Sequence, residues 1–211
     1  MSPPQRDRRL DILRGIAIFA IAMNHVATES PHMLGVRSYR FGHLFSFDFA
    51  DVFIMVSGIV SGLYYNGLYR AKGVLACAAA TFRRAATVWR AHILCVLTGL
   101  AALLLLGTLQ DPVGYLLGGI LLYDPAPLIN ILPIYIFLLV ILSPMLVLLK
   151  RSLAAYLLLS GGVWFGLWAM QFMQDRNLAP WPRADLTSAY FMHPLSAQFL
   201  FFLGVLIGTR K

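Results

Sequence analysis

The chain has 211 residues, 59% of them hydrophobic and only 12% charged, about half the charged share of an ordinary soluble domain. Together with a mean hydropathy of +0.74, this excludes a soluble globular domain, a disordered chain and a coiled coil. Lys and Arg number 17 against 9 Asp and Glu, a net charge of +8, which in a soluble protein would point to nucleic acid. Here the basic residues sort by position between apolar stretches, so no nucleic-acid partner is expected. Cys77 and Cys95 lie in or beside apolar segments. They read as packing residues, and neither a disulfide framework nor a metal site is expected.

Arg6, Arg8 and Arg9 ahead of an apolar run, with Ala20-Ile21-Ala22 behind it, imitate a secretory signal. Arg14 interrupts that run and apolar segments continue to the end of the chain, so an uncleaved first span fits better. Six stretches are long and apolar enough to cross a bilayer: 10–27, 45–65, 91–107, 128–149, 153–172 and 194–208. Basic residues crowd one set of connections: Arg6, Arg8 and Arg9; Arg70, Lys72, Arg83, Arg84 and Arg90; Lys150 and Arg151; Arg210 and Lys211. The other set holds Arg37, Arg40, Arg176 and Arg183, which puts both termini in the cytoplasm. The expected fold is all-α: a polytopic integral membrane bundle of about six transmembrane helices, one domain over residues 1–211, with lipids as neighbours.

Two connections read as more than turns. Between Gly73 and Arg90, the residues Arg83, Arg84, Thr87 and Arg90 share one helical face, and Phe82, Ala85, Ala86 and Trp89 the other. That pattern predicts a helix lying on the inner membrane surface, its basic face binding lipid headgroups or the phosphates of a nucleotide-bearing donor. Residues 112–123 are apolar but too short to cross, and Asp124-Pro125-Ala126-Pro127 follows, which predicts a short outer-face or re-entrant helix. The segment 171–193 reads as an ordered outer loop, and no internal repeat is visible.

An ionisable side chain inside a span is expensive and is a functional candidate by default. Span one holds Arg14 and His25, eleven helical steps apart, so they share an azimuth to within about 20° and stand about 16 Å apart along the axis. Span two opens from the outer side with Asp48 and Asp51, at nearly the depth of His25. A histidine and a carboxylate at matched depth make a base and its orienter; Asp51 is the first choice and Asp48 the second. The alternatives are a histidine bonded to a backbone carbonyl and an arginine snorkelling to the headgroups. Ser57-Gly58-Ile59-Val60-Ser61-Gly62 is a small-xxx-small face for close helix packing, and Ser57 as a nucleophile lacks a base at its depth. His32, His43, His92 and His193 show no metal-ligand spacing.

Arg9-Leu10-Asp11-Ile12-Leu13-Arg14-Gly15 with His25, then Asp51-Val52-Phe53-Ile54-Met55-Val56-Ser57-Gly58, resembles the membrane acyltransferases of the acyltransferase family 3 superfamily, and within it the OpgC family. Leu132-Pro133-Ile134-Tyr135-Ile136-Phe137, Ser143-Pro144 and the stretch from Pro194-Leu195-Ser196-Ala197-Gln198 to Gly204 are similar to that family's later landmarks. The resemblance implies O-acylation, typically succinylation, of periplasmic glucans at a bacterial inner membrane, with acyl-coenzyme A (succinyl-coenzyme A) as cytoplasmic co-substrate and no permanently bound cofactor. It maps the family's Arg and His onto Arg14 and His25. Arg14 then steadies the donor, with Arg83, Arg84 and Arg90 near its phosphates, and His25 takes a proton from the sugar hydroxyl, oriented by Asp51. Family members are longer, so the resemblance implies an N-terminal half or truncated product, and His193 stands where an Asn is expected. Outside the resemblance, a transporter with paired charges in a groove or a haem-binding membrane protein would use the same ingredients.

Overall fold

The computed structural model describes residues 8–29, 49–122, 131–176 and 189–210. Every regular element among them is a helix: α1 (Arg8–Glu29), α2 (Phe49–Leu105), α3 (Pro112–Leu121), α4 (Ile131–Arg151), α5 (Leu153–Asp175) and α6 (Ala189–Arg210). The all-α membrane architecture expected from composition is thus present. Among the described residues, three helices are long and apolar enough to cross a membrane: α2, α4 and residues 153–170 of α5. Because α2 runs for 57 residues, it contains two of the expected crossings. The other two expected crossings fall on α1 and α6. Outward-facing residues are apolar along these helices, among them Phe19 at 68% exposure and Leu105 at 89%, as a hydrocarbon solvent requires.

The surface helix expected between Gly73 and Arg90 is not a separate element. Within α2 only Gly73 departs from helical geometry, with φ 80 and ψ 179, a conformation open to glycine at little cost. From residue 74 to 105 the helix is continuous, about 48 Å at 1.5 Å per residue, so the basic turns and the apolar third span are one rod. Its buried row is Cys77, Thr81, Ala85, Val88, His92 and Val96, spaced by three or four residues as one face of a helix must be. Phe82 and Trp89, assigned to the membrane-facing side of a surface helix, are exposed.

The chain divides into two compact units, one of residues 1–67 and 200–211, the other of 68–199. In the first, α2 and α6 meet through glycines on both sides. A Cβ on Gly58 or Gly62 would fall on the carbonyl oxygens of Phe201 and Val205, and one on Gly204 or Gly208 on those of Met55 and Ile59. Numbers rise together along both helices, so they run parallel. The small-xxx-small face thus finds its partner in a second one, and backbones this close gain Cα–H···O contacts worth about 0.5–1 kcal/mol each. Asn66 Nδ2 donates to the Thr209 carbonyl at 3.4 Å near the end of the same seam.

In the second unit, α4 and α5 pack on each other across a one-residue joint, Ser152, whose Oγ accepts from the Ala155 amide at 3.1 Å and caps α5. Lys150 and Arg151 in the last turn of α4 suit its carbonyl end. The short helix expected near residues 112–123 is α3. Asp111 caps it by accepting from Gly114 N at 2.9 Å, Pro112 begins it, and Leu122 ends it at φ 63.

Candidate functional site

Span one and span two meet at Arg14. Its guanidinium carbon lies 5.5 Å from the centroid of the Phe53 ring, a cation–π contact. Arg14 Nε is enclosed and has no hydrogen-bond partner among the described residues. Arg14 as a whole is half-buried, while Ala17, one turn on, and Phe53, Ile54 and Ser57 are buried. The sequence pattern matches His25, about 16 Å from Arg14 along the helix axis, to the head of α2. The contact with Phe53 ties Arg14 itself to that level of α2.

Asp51 is half-buried in the first turn of α2 and holds an interaction of its own. His25 belongs to the last turns of α1, but its side chain, and the whole of Asp48, lie outside the described residues. Ser57 is fully buried, and its Oγ also has no hydrogen-bond partner among the described residues. Its place on the glycine face was legible in the sequence. Its unsatisfied hydroxyl was not, because burial on both flanks depends on helices distant along the chain.

The second unit holds polar groups that serve packing. His92 is fully buried, and its Nε2–H donates to the Gly119 carbonyl at 3.0 Å, while Trp89 Nε1 donates to the Ile120 carbonyl at 3.2 Å. These two bonds fasten the end of α3 to α2. A Cβ on Gly119 would come within 2.7 Å of the Val96 methyl carbons, so only glycine allows the approach. Ser160 Oγ donates to Gln198 Oε1 at 2.8 Å and Gln198 Nε2 returns a bond to the Ser160 carbonyl at 2.7 Å, joining α5 to the early part of α6 beside the stacked rings of Trp164 and Phe199. Gln198 lies in the family-like stretch 194–204, and no pattern in the sequence points to Ser160.

Arg83, Arg84 and Arg90 are exposed, and Arg83 Nε donates to the Ala79 carbonyl of its own helix at 3.3 Å. The three side chains are thus cationic groups on the exposed surface of α2. Among the described residues no group of three His, Cys, Asp or Glu is placed to hold a metal ion.

Compared with known proteins, the chain matches the family model of the OpgC protein over residues 6–211. No curated protein and no solved structure matches it. The family is one of acyltransferase-like, glucan-modifying membrane proteins, in keeping with the apolar helices of this chain. Since the match takes in nearly every residue, the chain belongs to the OpgC family.

Proposed function

We propose that the protein is a membrane-bound O-acyltransferase that moves an acyl group, succinyl in the first instance, from coenzyme A on the cytoplasmic side to a hydroxyl of a periplasmic glucan. The observation that carries this reading is Arg14: a half-buried guanidinium in an apolar helix, set over the Phe53 ring, whose buried Nε has no hydrogen-bond partner among the described residues. Such a group is costly unless it meets an anion or a polarised carbonyl, and a thioester donor brings both. In the reaction, the sugar oxygen attacks the thioester carbonyl, a C–O bond forms and the C–S bond breaks. His25 takes the hydroxyl proton and passes it to the departing thiolate. Asp51, with Asp48 as the second candidate, orients His25. Arg83, Arg84 and Arg90 receive phosphate, from the donor's head or from lipid headgroups. The bacterial inner membrane, with both termini cytoplasmic, is the setting this chemistry needs.

Inside-out vesicles carrying the full chain and glucan trapped in the lumen test the reading. Labelled succinyl-coenzyme A added outside should mark the glucan, and His25→Ala should lower the rate by about 10²-fold or more, the usual scale for losing a general base. Labelling only when the donor is supplied to the luminal side would refute the transmembrane route. An unchanged rate in His25→Ala would remove that residue from the chemistry.

A further inference from the structure

Within the second unit, residues 68–199, charge sorts by end. No Asp or Glu occurs in 52–110 or in 125–174. Of the acidic residues of this unit that the structure describes, Asp111 caps α3 beyond the far end of α2, and Asp175 closes α5 about 33 Å from its start. The other end, where α4 runs into α5, carries cations instead. Lys150 and Arg151 finish α4, and Arg70 and Lys72 precede the break in α2 at Gly73. All four side chains are exposed.

Packing brings two of these cations together from positions far apart in the chain. Cys77 and Ser143, both buried, are joined by a side-chain hydrogen bond, which sets the turn of α2 just past Gly73 against α4. From that contact Arg70 lies seven residues back along α2 and Lys150 seven residues on along α4, each a path of about 10 Å. The two paths end beside each other, since the Arg70 charge bears on Lys150. Desolvation of the ammonium, and then that charge, hold the Lys150 pKa below the usual lysine range. The surface beside the pair is apolar: Leu75, five residues past Arg70, is 82% exposed, and Leu153, three past Lys150, is 40% exposed.

We infer that Arg70 and Lys150 together hold the phosphate of an anionic membrane lipid, which bridges α2 and α4 at the basic end of the unit. An anion set between two neighbouring cations turns their repulsion into two charge-assisted hydrogen bonds, the guanidinium giving a planar fork and the ammonium a point charge. Lys72 and Arg151 add to the same local field. The exposed leucines decide between a lipid and a free phosphate, because acyl chains cover them and a soluble anion does not. A zwitterionic headgroup is a poor substitute, since it brings a third cation to the pair. The site is separate from the arginines further along the helix, where Arg83 stands about 15 Å beyond Gly73, and it does not rest on the acyltransferase reading.

The purified full chain, stripped of lipid in a neutral detergent, is titrated with phosphatidylglycerol and with phosphatidylcholine of the same acyl chains, and native mass spectrometry reads the first lipid bound. Phosphatidylglycerol should bind at least about tenfold tighter, the scale for two cations at a membrane surface. Arg70→Gln and Lys150→Gln should each remove most of that preference, and both together little more, because the phosphate needs the pair. Arg70→Lys with Lys150→Arg keeps both charges and should retain it. Arg83→Gln with Arg84→Gln removes the same charge elsewhere and should leave the ratio within about twofold. Equal binding of the two lipids by the unmodified chain, or the same loss from both Gln pairs, would overturn the inference. So would displacement of bound phosphatidylglycerol by millimolar glycerol phosphate, which would mark a site for free phosphate.

Discussion

His92 and Ser57 are both fully buried in membrane helices, and each has a buried polar atom without a hydrogen-bond partner among the described residues, Nδ1 of His92 and Oγ of Ser57. His92 has a backbone carbonyl to donate to, the fate that sequence reasoning kept as the alternative for His25. No sequence pattern distinguishes the two histidines, because the deciding partner, Gly119, lies 27 residues away and is brought there by the short helix α3. Arg14 was legible as an ionisable residue inside a span; the Phe53 ring beneath it was not, since a phenylalanine in an apolar stretch carries no mark of its own. If His92 serves to fasten α3, then His92→Leu, close in volume and without the donor, should cost only about 1 kcal/mol of overall stability. It should speed hydrogen exchange at the amides of residues 112–121 about fivefold, the same energy read locally. Unchanged exchange there would mean that Trp89 alone holds the helix end.

At the scale of elements, hydropathy placed the apolar stretches well and divided α2 wrongly. Arg83, Arg84 and Arg90 lower the local hydropathy and mimic the edge of a surface helix, yet arginine is a good helix former and does not interrupt a backbone. The continuous buried row from Cys77 to Val96 was readable in the spacing, but it crosses the boundary that charge had drawn. Glycine was read correctly at Gly58 and Gly62, while Gly204 and Gly208 became their partners only in the structure. The seam makes a sharp contrast among substitutions. Gly58→Ala or Gly204→Ala sets a methyl carbon on a neighbouring carbonyl oxygen and should cost at least about 1–3 kcal/mol, the range for overpacking. Gly162→Ala meets nothing within 4 Å and should be neutral or stabilising by up to about 1 kcal/mol, through helix propensity alone. Equilibrium unfolding in detergent measures all three, and equal destabilisation at the three sites would show that the glycine seam does not hold the helices.

For the whole molecule, the direction of two helices constrains the path of the chain through the membrane. Residues 55–62 of α2 and 201–208 of α6 lie alongside one another with numbers rising in the same sense, so both cross in one direction. Between them an odd number of crossings is required. The second limb of α2, then α4 and α5, supply three, provided that α3, with only 10 residues, does not span; at about 15 Å it reaches half the hydrocarbon thickness. The placement of Arg and Lys predicts the same parity, and the expected path is six crossings with both termini on one side. Single cysteines introduced at Thr108, Lys150 and Arg210, in a chain whose Cys77 and Cys95 are replaced by Ala, make this measurable with a thiol reagent that does not cross membranes. Lys150→Cys and Arg210→Cys should react in inside-out vesicles and Thr108→Cys in right-side-out cells. Reaction of Thr108→Cys and Lys150→Cys from the same side would require α3 to cross or α4 not to, and the parallel seam of α2 and α6 would then need a different path of the chain.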